Sequence, residues 1–204
     1  TSFKETISNP QDDEFWRSVH FSDEDLMELD LPMFFTDGWY DMTIGPIDFF
    51  SRMEAIQSSK SDRYLLVGPW DHYQTAARNF PNEDNGDRVM PENGAIDHMD
   101  HRLAFFDRYL KDDQQAVVQE DRVRIYITGA SDSTANGWKN FPTFPAPGTE
   151  YKALYLHSQG DARSYPGDGQ LNWKMPNEEP VDHYTYDPAL PTHSQVETSR
   201  DRRD

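Results

Sequence analysis

The 204-residue sequence contains no cysteine and few basic residues. Without cysteine the chain has no disulfides, no thiolate metal sites and no cysteine nucleophile. Its 19 lysines and arginines are outnumbered by 37 aspartates and glutamates, which gives a net charge of −18. This balance disfavours nucleic acid and anionic membrane surfaces as partners, because both attract basic surfaces. The sequence also has no run of the eighteen or so apolar residues that a membrane-spanning helix requires.

Two sequence signals are also missing. Residues 1–5 lack the basic and then apolar order of a signal peptide, so cytoplasmic and secreted locations both stay open. The chain has no Gly-x-Ser-x-Gly, the turn that carries the nucleophile of many serine hydrolases. Aromatic residues, at 13%, are numerous enough to build a core and argue against disorder. The acidity predicts a strongly solvated surface, and adaptation to high salt is a second interpretation.

The first half of the sequence predicts alternating strands and helices. Residues 32–36 and 63–67 are short apolar runs, which are typical of buried strands. Residues 46–58 and 96–111 repeat apolar side chains at helical spacing. The apolar stripe of the second helix is predicted from Met99, Leu103, Phe106 and Leu110, widened by Phe105 and Tyr109. A strand, a helix and a strand joined by short links predict a right-handed βαβ unit in a parallel sheet.

The pattern changes after Asp112. Residues 123–128 and 151–156 alternate polar and apolar side chains at period two, which favours antiparallel strands with one solvated face. A domain boundary is therefore expected between residues 112 and 121. We predict two domains, residues 1–115 with an α/β architecture and residues 116–204 with an antiparallel β architecture.

Each of the two predicted strands ends in a motif that carries an acid/base group. The first is Gly-Trp-Tyr-Asp (residues 38–41), and the second is Gly-Pro-Trp-Asp-His (residues 68–72). Because loops at the carboxyl ends of parallel strands share one crevice, Asp41 and His72 are expected to lie together. An imidazole can accept the proton of a serine hydroxyl, and a carboxylate behind it fixes the tautomer. Asp41 and His72 are therefore candidate catalytic residues.

Simpler interpretations of the same motifs stay open. Asp41 is also explained as a turn or helix-cap aspartate, and His72 as a loop histidine packed on Trp70. Asp37 and Asp71 are competing carboxylates, but one precedes the glycine turn and the other adjoins the histidine. Motif matches of this kind have a high rate of false positives.

No serine in the chain replaces the missing nucleophile turn. Ser158 follows a strand-like run and precedes Gly160 by two residues, but the first glycine is absent. It also follows the histidine, whereas α/β-hydrolases carry serine, acid and histidine in that order. Ser131 lacks the final glycine. The sequence is therefore interpreted as the rear portion of a serine hydrolase.

Several strings, in the same order along the chain, resemble the cocaine esterase and Xaa-Pro dipeptidyl-peptidase family of CocE/NonD-type serine hydrolases. They are Gly-Trp-Tyr-Asp (38–41), Leu-Val-Gly-Pro-Trp-x-His (66–72), Phe105–Lys111, Val123–Gly129, Trp138 and Tyr186–Pro188. The resemblance implies the C-terminal portion of an α/β-hydrolase parallel sheet, followed by part of an antiparallel jelly-roll β-sandwich. It implies an acyl-enzyme mechanism in which His72 is the base and Asp41 orients it.

The resemblance also sets expectations about substrates and extent. Esters, N-acyl amides or Xaa-Pro amides are the implied small-molecule or peptide substrates, and no cofactor is implied. The chain is expected to begin after the family's helical cap and to stop early in the sandwich, with its serine elsewhere. Alone it is not expected to hydrolyse a substrate. A truncated sheet would expose an edge and apolar faces that favour association of copies.

Three further interpretations remain. Trp39, Tyr40 and Trp70 adjoin the predicted site and either line an acyl pocket or pack beneath the turn. The segment 97–101, with Asp97, His98 and His101 on one helix face, is either a metal site or a solvated helix start, and we favour the helix start. The alternative to an enzyme is a binding or assembly module on a hydrolase-like scaffold.

Overall fold

The chain divides into two compact units, which contain Thr1–Pro147 and Gly148–Gln195. The computed structural model describes residues 3–11, 13–41, 43, 45–56, 61–72, 75, 94, 98–129, 136–163 and 166–189. None of the helices in these ranges combines the length and the apolar character that crossing a bilayer requires.

The first unit is built on a four-stranded sheet in the order β1-β2-β3-β4. Its strands are β1 (Met33–Gly38), β2 (Arg63–Gly68), β3 (Val123–Ile127) and β4 (Gly137–Phe141). β1, β2 and β3 are parallel, and β4 is antiparallel to β3. The predicted α/β class with a parallel sheet is confirmed.

Three short helices precede the sheet: α1 (Phe3–Ser8), α2 (Glu14–Val19) and α3 (Asp23–Glu28). Ser22 and Asp25 form a capping box at the start of α3, in which each side chain accepts a hydrogen bond from the other's backbone N–H. Leu26 is the buried residue of α3. α1 and α2 have no buried residues, and helices of six residues are marginal in isolation.

Helix α4 (Gly45–Ala55) joins β1 to β2 and covers one face of the sheet. Side chains of a strand alternate between its two faces, so every second residue of β2 points toward α4. The buried cluster on this side consists of Phe50, Leu65, Val67, Val123 and Ile125. The helix–strand crossover is the one predicted from residues 32–67, with the helix ending three residues earlier.

An ionic group ties α4 to the sheet. Glu54 accepts hydrogen bonds from Arg122 at 2.7 and 3.0 Å and from the Thr143 hydroxyl at 3.2 Å. The buried guanidinium of Arg63 donates to the Met53 carbonyl at 2.8 Å and lies 3.9 Å from Glu54. Burial lowers the pKa of Arg63, and the Glu54 carboxylate opposes this by favouring the charged form.

Helix α5 (His98–Leu110) packs on the sheet through Phe105 and Tyr109, the residues predicted to widen its apolar stripe. Phe105 stacks on Phe34 of β1, and the Tyr109 hydroxyl bonds to the Asp62 carboxylate and the Tyr64 hydroxyl. The predicted stripe was wrong in part, since Leu103, Phe106 and Leu110 are at least half exposed. The packed face also carries the polar contacts of Tyr109, whereas the exposed residues form a second apolar face.

The segment after Asp112 also departs from the prediction. β3 was expected in an antiparallel sheet, but it pairs parallel with β2 and antiparallel only with β4. Period-two alternation reports one solvated face and does not specify the direction of the neighbouring strand. The first compact unit contains Thr1–Pro147, and the domain boundary at residues 115/116 stays a prediction.

The second unit contains a two-stranded antiparallel sheet, β5 (Tyr155–His157) and β6 (Gln170–Asn172). His157 bonds through Nδ1 to Glu179 at 2.7 Å and through Nε2 to the Lys174 carbonyl at 2.8 Å. Because both ring nitrogens face acceptors, the charged imidazolium fits best. The Glu179 hydrogen bond raises the pKa of His157, and His157 lowers that of Glu179. The jelly-roll assignment stays a prediction.

Candidate active site

The carboxyl ends of β1 and β2 meet beneath Trp70, and both motif glycines are needed there. A Cβ on Gly38 would lie 2.3 Å from the Trp70 carbonyl oxygen, and a Cβ on Gly68 would lie 2.2 Å from the Trp70 ring. Trp70 itself is completely buried, and its indole N–H donates to the Gly94 carbonyl at 3.1 Å. The glycines thus let the two loops approach each other across one tryptophan.

The loop after β1 is fixed to the end of β2 by backbone hydrogen bonds. The N–H of Trp39 donates to the Gly68 carbonyl at 2.9 Å, and that of Tyr40 donates to the Trp70 carbonyl at 3.0 Å. The next residue, Asp41, donates its backbone N–H to Gly38 at 3.0 Å and completes a tight turn. The Asp41 side chain therefore starts from a well-defined backbone position.

The Asp41 carboxylate lies between a local turn and the histidine. Its Oδ1 accepts from the Thr43 N–H at 3.0 Å and from the Thr43 hydroxyl at 3.2 Å. His72 Nδ1 lies 3.1 Å from Oδ2 and 3.2 Å from Oδ1. Because an ionised carboxylate only accepts hydrogen bonds, this network places a proton on Nδ1 of His72.

His72 is fixed on its other side by the turn that follows it. Its carbonyl accepts from the Thr75 hydroxyl at 2.7 Å, and the Thr75 N–H donates to the Asp71 carbonyl at 3.1 Å. Arg102 of α5 donates to the Thr75 carbonyl at 2.8 Å. Helix α5 thereby supports the histidine loop, although it lies far from it in sequence.

Exposure differs sharply between the two partners. The Asp41 side chain is 6% exposed, whereas the His72 side chain is 55% exposed. A hidden carboxylate behind an open imidazole can hold the ring while the ring exchanges protons with a molecule outside. The predicted proximity of these two residues is what the structure shows; their catalytic role is a matter for proposal.

Asp37, the competing carboxylate on β1, occupies a different position. It is buried, and its Oδ1 accepts from the Gly38 N–H at 2.8 Å. Burial raises the pKa of Asp37, and the negative charge of Asp41 raises it further. Residues two apart on a strand point to the same face. Asp37 therefore shares a face with Phe35, which packs on Phe50 of α4, and the Asp37 side chain lies on the α4 face of the sheet.

The three aromatic residues assigned to a pocket differ in their surroundings. Trp39 and Tyr40 are 40% and 43% exposed. The Trp39 indole donates to the Tyr126 carbonyl at 2.7 Å. Trp70 has no exposed surface and packs against Leu66 and Trp138, as the interpretation of packing beneath the turn requires.

The remaining sequence candidates have other partners. His101 Nδ1 contacts the Val118 carbonyl at 2.6 Å, while Asp97 and the side chain of His98 lie outside the described residues. Ser158 donates its hydroxyl within a cluster formed by Asp168 and Asp182, in the second unit. Ser131 also lies outside the described residues. No group of three potential metal ligands occurs among the residues described.

Sequence reasoning missed the residues that support the pair. Thr43 follows Asp41 by two residues, and an Asp-x-Thr spacing is typical of an aspartate that accepts from a local turn, so this contact was recognisable. Arg102 and the backbone carbonyl of Tyr126 gave no signal, because their contacts depend on how distant elements pack.

Comparisons with known proteins show which proteins this chain resembles. The model of the X-Pro dipeptidyl-peptidase (S15) family matches residues 1–74, a range that includes both Asp41 and His72. Cocaine esterase of Rhodococcus sp. (strain MB1 Bresler) is 31% identical over 190 residues, which are 93% of this chain. These matches support the cocaine esterase and X-Pro dipeptidyl-peptidase family for this chain.

The chain also resembles solved structures. A crystal structure of an aminopeptidase from a marine sediment archaeon, Thaumarchaeota archaeon, aligns with 93% of the chain at 26% identity and a TM-score of 0.62. A CocE/NonD family hydrolase from Staphylococcus aureus aligns with 76% of the chain at 19% identity and a TM-score of 0.49. The chain spans only 31% of the cocaine esterase, 28% of the aminopeptidase and 24% of the Staphylococcus protein.

Proposed function

We propose that His72 and Asp41 are the base and the orienting acid of a serine acyl hydrolase, and that the serine lies outside this chain. The observation that carries the proposal is the contact between the Asp41 carboxylate and His72 Nδ1 at 3.1 Å. A triad carboxylate takes Nδ1, which leaves Nε2 for the nucleophile. The family match and the position of both residues at strand ends support the same roles.

The proposed chemistry follows from these roles. A serine hydroxyl transfers its proton to His72 Nε2 as its oxygen attacks the carbonyl carbon of the substrate. The imidazolium that forms is stabilised by Asp41, and His72 then gives the proton to the leaving group. Water repeats the sequence on the acyl-enzyme. The oxyanion hole is proposed to lie with the serine, outside this chain.

The proposed substrates are small esters or peptides with an N-terminal Xaa-Pro unit. The names of the relatives, a cocaine esterase and X-Pro dipeptidyl-peptidases, support this range. The exposed Trp39 and Tyr40 adjoin the pair and are proposed to contact the acyl group. We further propose that Gly148–Gln195 begins a jelly-roll domain, supported by its antiparallel strands β5 and β6.

A second candidate function is a non-catalytic binding or assembly module on the same scaffold. The observation that favours it is the lack of any Gly-x-Ser-x-Gly in the sequence. The two functions differ in whether His72 is needed for chemistry when a nucleophile is supplied.

A chimaera tests the proposal. The segment of the Rhodococcus cocaine esterase that aligns with this chain is replaced by this chain, and the product is treated with a fluorophosphonate probe that labels active serines. We expect labelling of the esterase's serine, and a loss of at least a hundredfold in labelling rate for His72→Gln and Asp41→Asn. His20→Gln, which changes an exposed histidine of the first unit, is the matched control and should label normally.

Two results would contradict the proposal. Equal labelling of the His72→Gln and His20→Gln chimaeras would show that His72 is not the base and would favour the binding module. Labelling of this chain alone would place the nucleophile within it.

A further inference from the structure

We propose that the indole N–H of Trp39 positions the Asp41–His72 pair by anchoring the Asp41 turn to the backbone of β3. The inference rests on the proposed function, because it assigns a role to the pair that Trp39 supports. Trp39 is a positioning residue in this proposal and need not touch the substrate.

The anchor joins Trp39 to two adjacent strands. Its backbone N–H donates to the Gly68 carbonyl at the end of β2, at 2.9 Å. Its indole N–H donates to the Tyr126 carbonyl of β3 at 2.7 Å, across 87 residues of sequence. Trp39, which lies in the Asp41 turn (residues 38–41), is therefore hydrogen-bonded to β2 through its backbone and to β3 through its side chain.

The Tyr126 carbonyl, which accepts the Trp39 indole N–H, belongs to a tightly packed part of the sheet. Tyr126 is buried, and its ring meets the Trp138 ring of β4 edge to face, at 5.4 Å between centroids. The Arg124 guanidinium lies 5.3 Å from the Trp138 ring. Because these residues belong to paired strands, the Tyr126 carbonyl is fixed by the ladder as well as by packing.

The same support carries the histidine side of the pair. The buried Trp70, two residues before His72, packs on Trp138 with 5.5 Å between ring centroids. The Asp41 turn thus reaches β3 through the Trp39 indole, and the His72 turn reaches β4 through the Trp70 ring. The strands β3 and β4 therefore hold both turns in place relative to each other.

The Asp41–His72 hydrogen bond tolerates only a small displacement of either turn, so the positions of both turns matter. His72 Nδ1 lies 3.1 and 3.2 Å from the Asp41 oxygens, and a hydrogen bond is lost beyond roughly 3.5 Å. A displacement of the Asp41 turn by about half an ångström is therefore enough to release the ring. Release lets the imidazole proton move from Nδ1 to Nε2, which removes the base.

The test uses the full chain labelled with nitrogen-15 at histidine. At pH 9, where imidazoles are neutral, the nitrogen shifts of His72 report how the proton divides between Nδ1 and Nε2. We expect the Nδ1 form to dominate in the unsubstituted chain. In Trp39→Phe, which keeps an aromatic ring but loses the donor, we expect the ratio of the Nδ1 to the Nε2 form to fall about fivefold. His72→Gln identifies the signal.

Trp16→Phe is the matched control, because Trp16 donates its indole N–H to the Asn9 carbonyl at 2.6 Å, away from the pair. It should leave the His72 ratio unchanged. An unchanged ratio in Trp39→Phe, or an equal fall in both variants, would overturn the proposal. A second measurement needs no substitution: the Trp39 indole proton should exchange with D₂O at least tenfold more slowly than that of Trp173, and equal rates would also overturn it.

Asp41→Ala separates this inference from the proposed function. A changed His72 ratio in Asp41→Ala together with an unchanged ratio in Trp39→Phe refutes only the positioning role. Asp41→Ala leaves no side-chain acceptor at this position, so an unchanged ratio in Asp41→Ala means that the Asp41–His72 contact is absent, and both proposals then fail.

Discussion

Replacing Gly38 by alanine tests the packing of the two strand-end loops most directly. The new methyl carbon would lie 2.3 Å from the Trp70 carbonyl oxygen and 2.8 Å from its carbonyl carbon. An ordinary contact begins near 3.4 Å, so the two loops must separate by about 1 Å. That carbonyl accepts the Tyr40 N–H at 3.0 Å, and the movement breaks this bond.

Two contributions lower the stability of Gly38→Ala, and one raises it. Overpacking costs about 1–3 kcal/mol, and losing one backbone hydrogen bond costs about 1 kcal/mol more. Alanine restricts the unfolded chain and returns about 0.4–1 kcal/mol. We therefore expect Gly38→Ala to lower the free energy of unfolding of the first unit by about 1–3.5 kcal/mol. The Asp41–His72 contact should be lost as well, because both residues follow the separated loops.

Hydrogen exchange of the β1 and β2 amides measures this free energy for the first unit alone. Gly45→Ala is the matched control, because no atom lies within 4 Å of the methyl group it would add. It should be neutral or stabilising by up to about 1 kcal/mol. The reasoning is refuted if the two alanine variants show the same protection in β1 and β2.

Two further predictions concern charged groups. Glu54→Gln should destabilise the first unit by about 2 kcal/mol, because the buried Arg63 loses a nearby carboxylate and Arg122 loses a charged partner. Asp23→Asn at the exposed Arg52 pair should cost about 0.5 kcal/mol or less, and equal losses in urea unfolding would contradict this. The second prediction concerns His157, whose folded pKa is raised by Glu179, so its contribution is present below its unfolded pKa of 6.5 and lost as pH rises through the folded value. Hydrogen exchange in the second unit should show the difference between the chain and His157→Gln shrinking as pH rises, and a constant difference would count against the imidazolium.

Local pattern was enough to predict the elements around the site. Apolar runs bounded by glycine located β1 and β2 to within three residues, and helical spacing located α4 and α5. The proximity of Asp41 and His72 followed from parallel strands sharing one edge, a rule that needs no knowledge of side-chain packing.

What could not be predicted depends on contacts between distant segments. Tyr109, on the packed face of α5, bonds to Asp62 and Tyr64, which lie 47 and 45 residues away in sequence. The direction of β3 relative to β2 leaves no trace in the alternation of residues 123–127. The family model itself matches only residues 1–74, although β3 and β4 complete the sheet.

The contacts that join the two motifs to β3 and β4 have a consequence for recognising active relatives. A gene product could preserve Gly-Trp-Tyr-Asp and Gly-Pro-Trp-Asp-His letter for letter and still misalign them, if a deletion or a frameshift removed residues 123–141. A search for the two motifs alone would classify such a protein as a catalytically active relative. In this chain the strand pair that would be lost carries Tyr126 opposite Trp138, which supply the backbone acceptor for Trp39 and the ring that packs on Trp70.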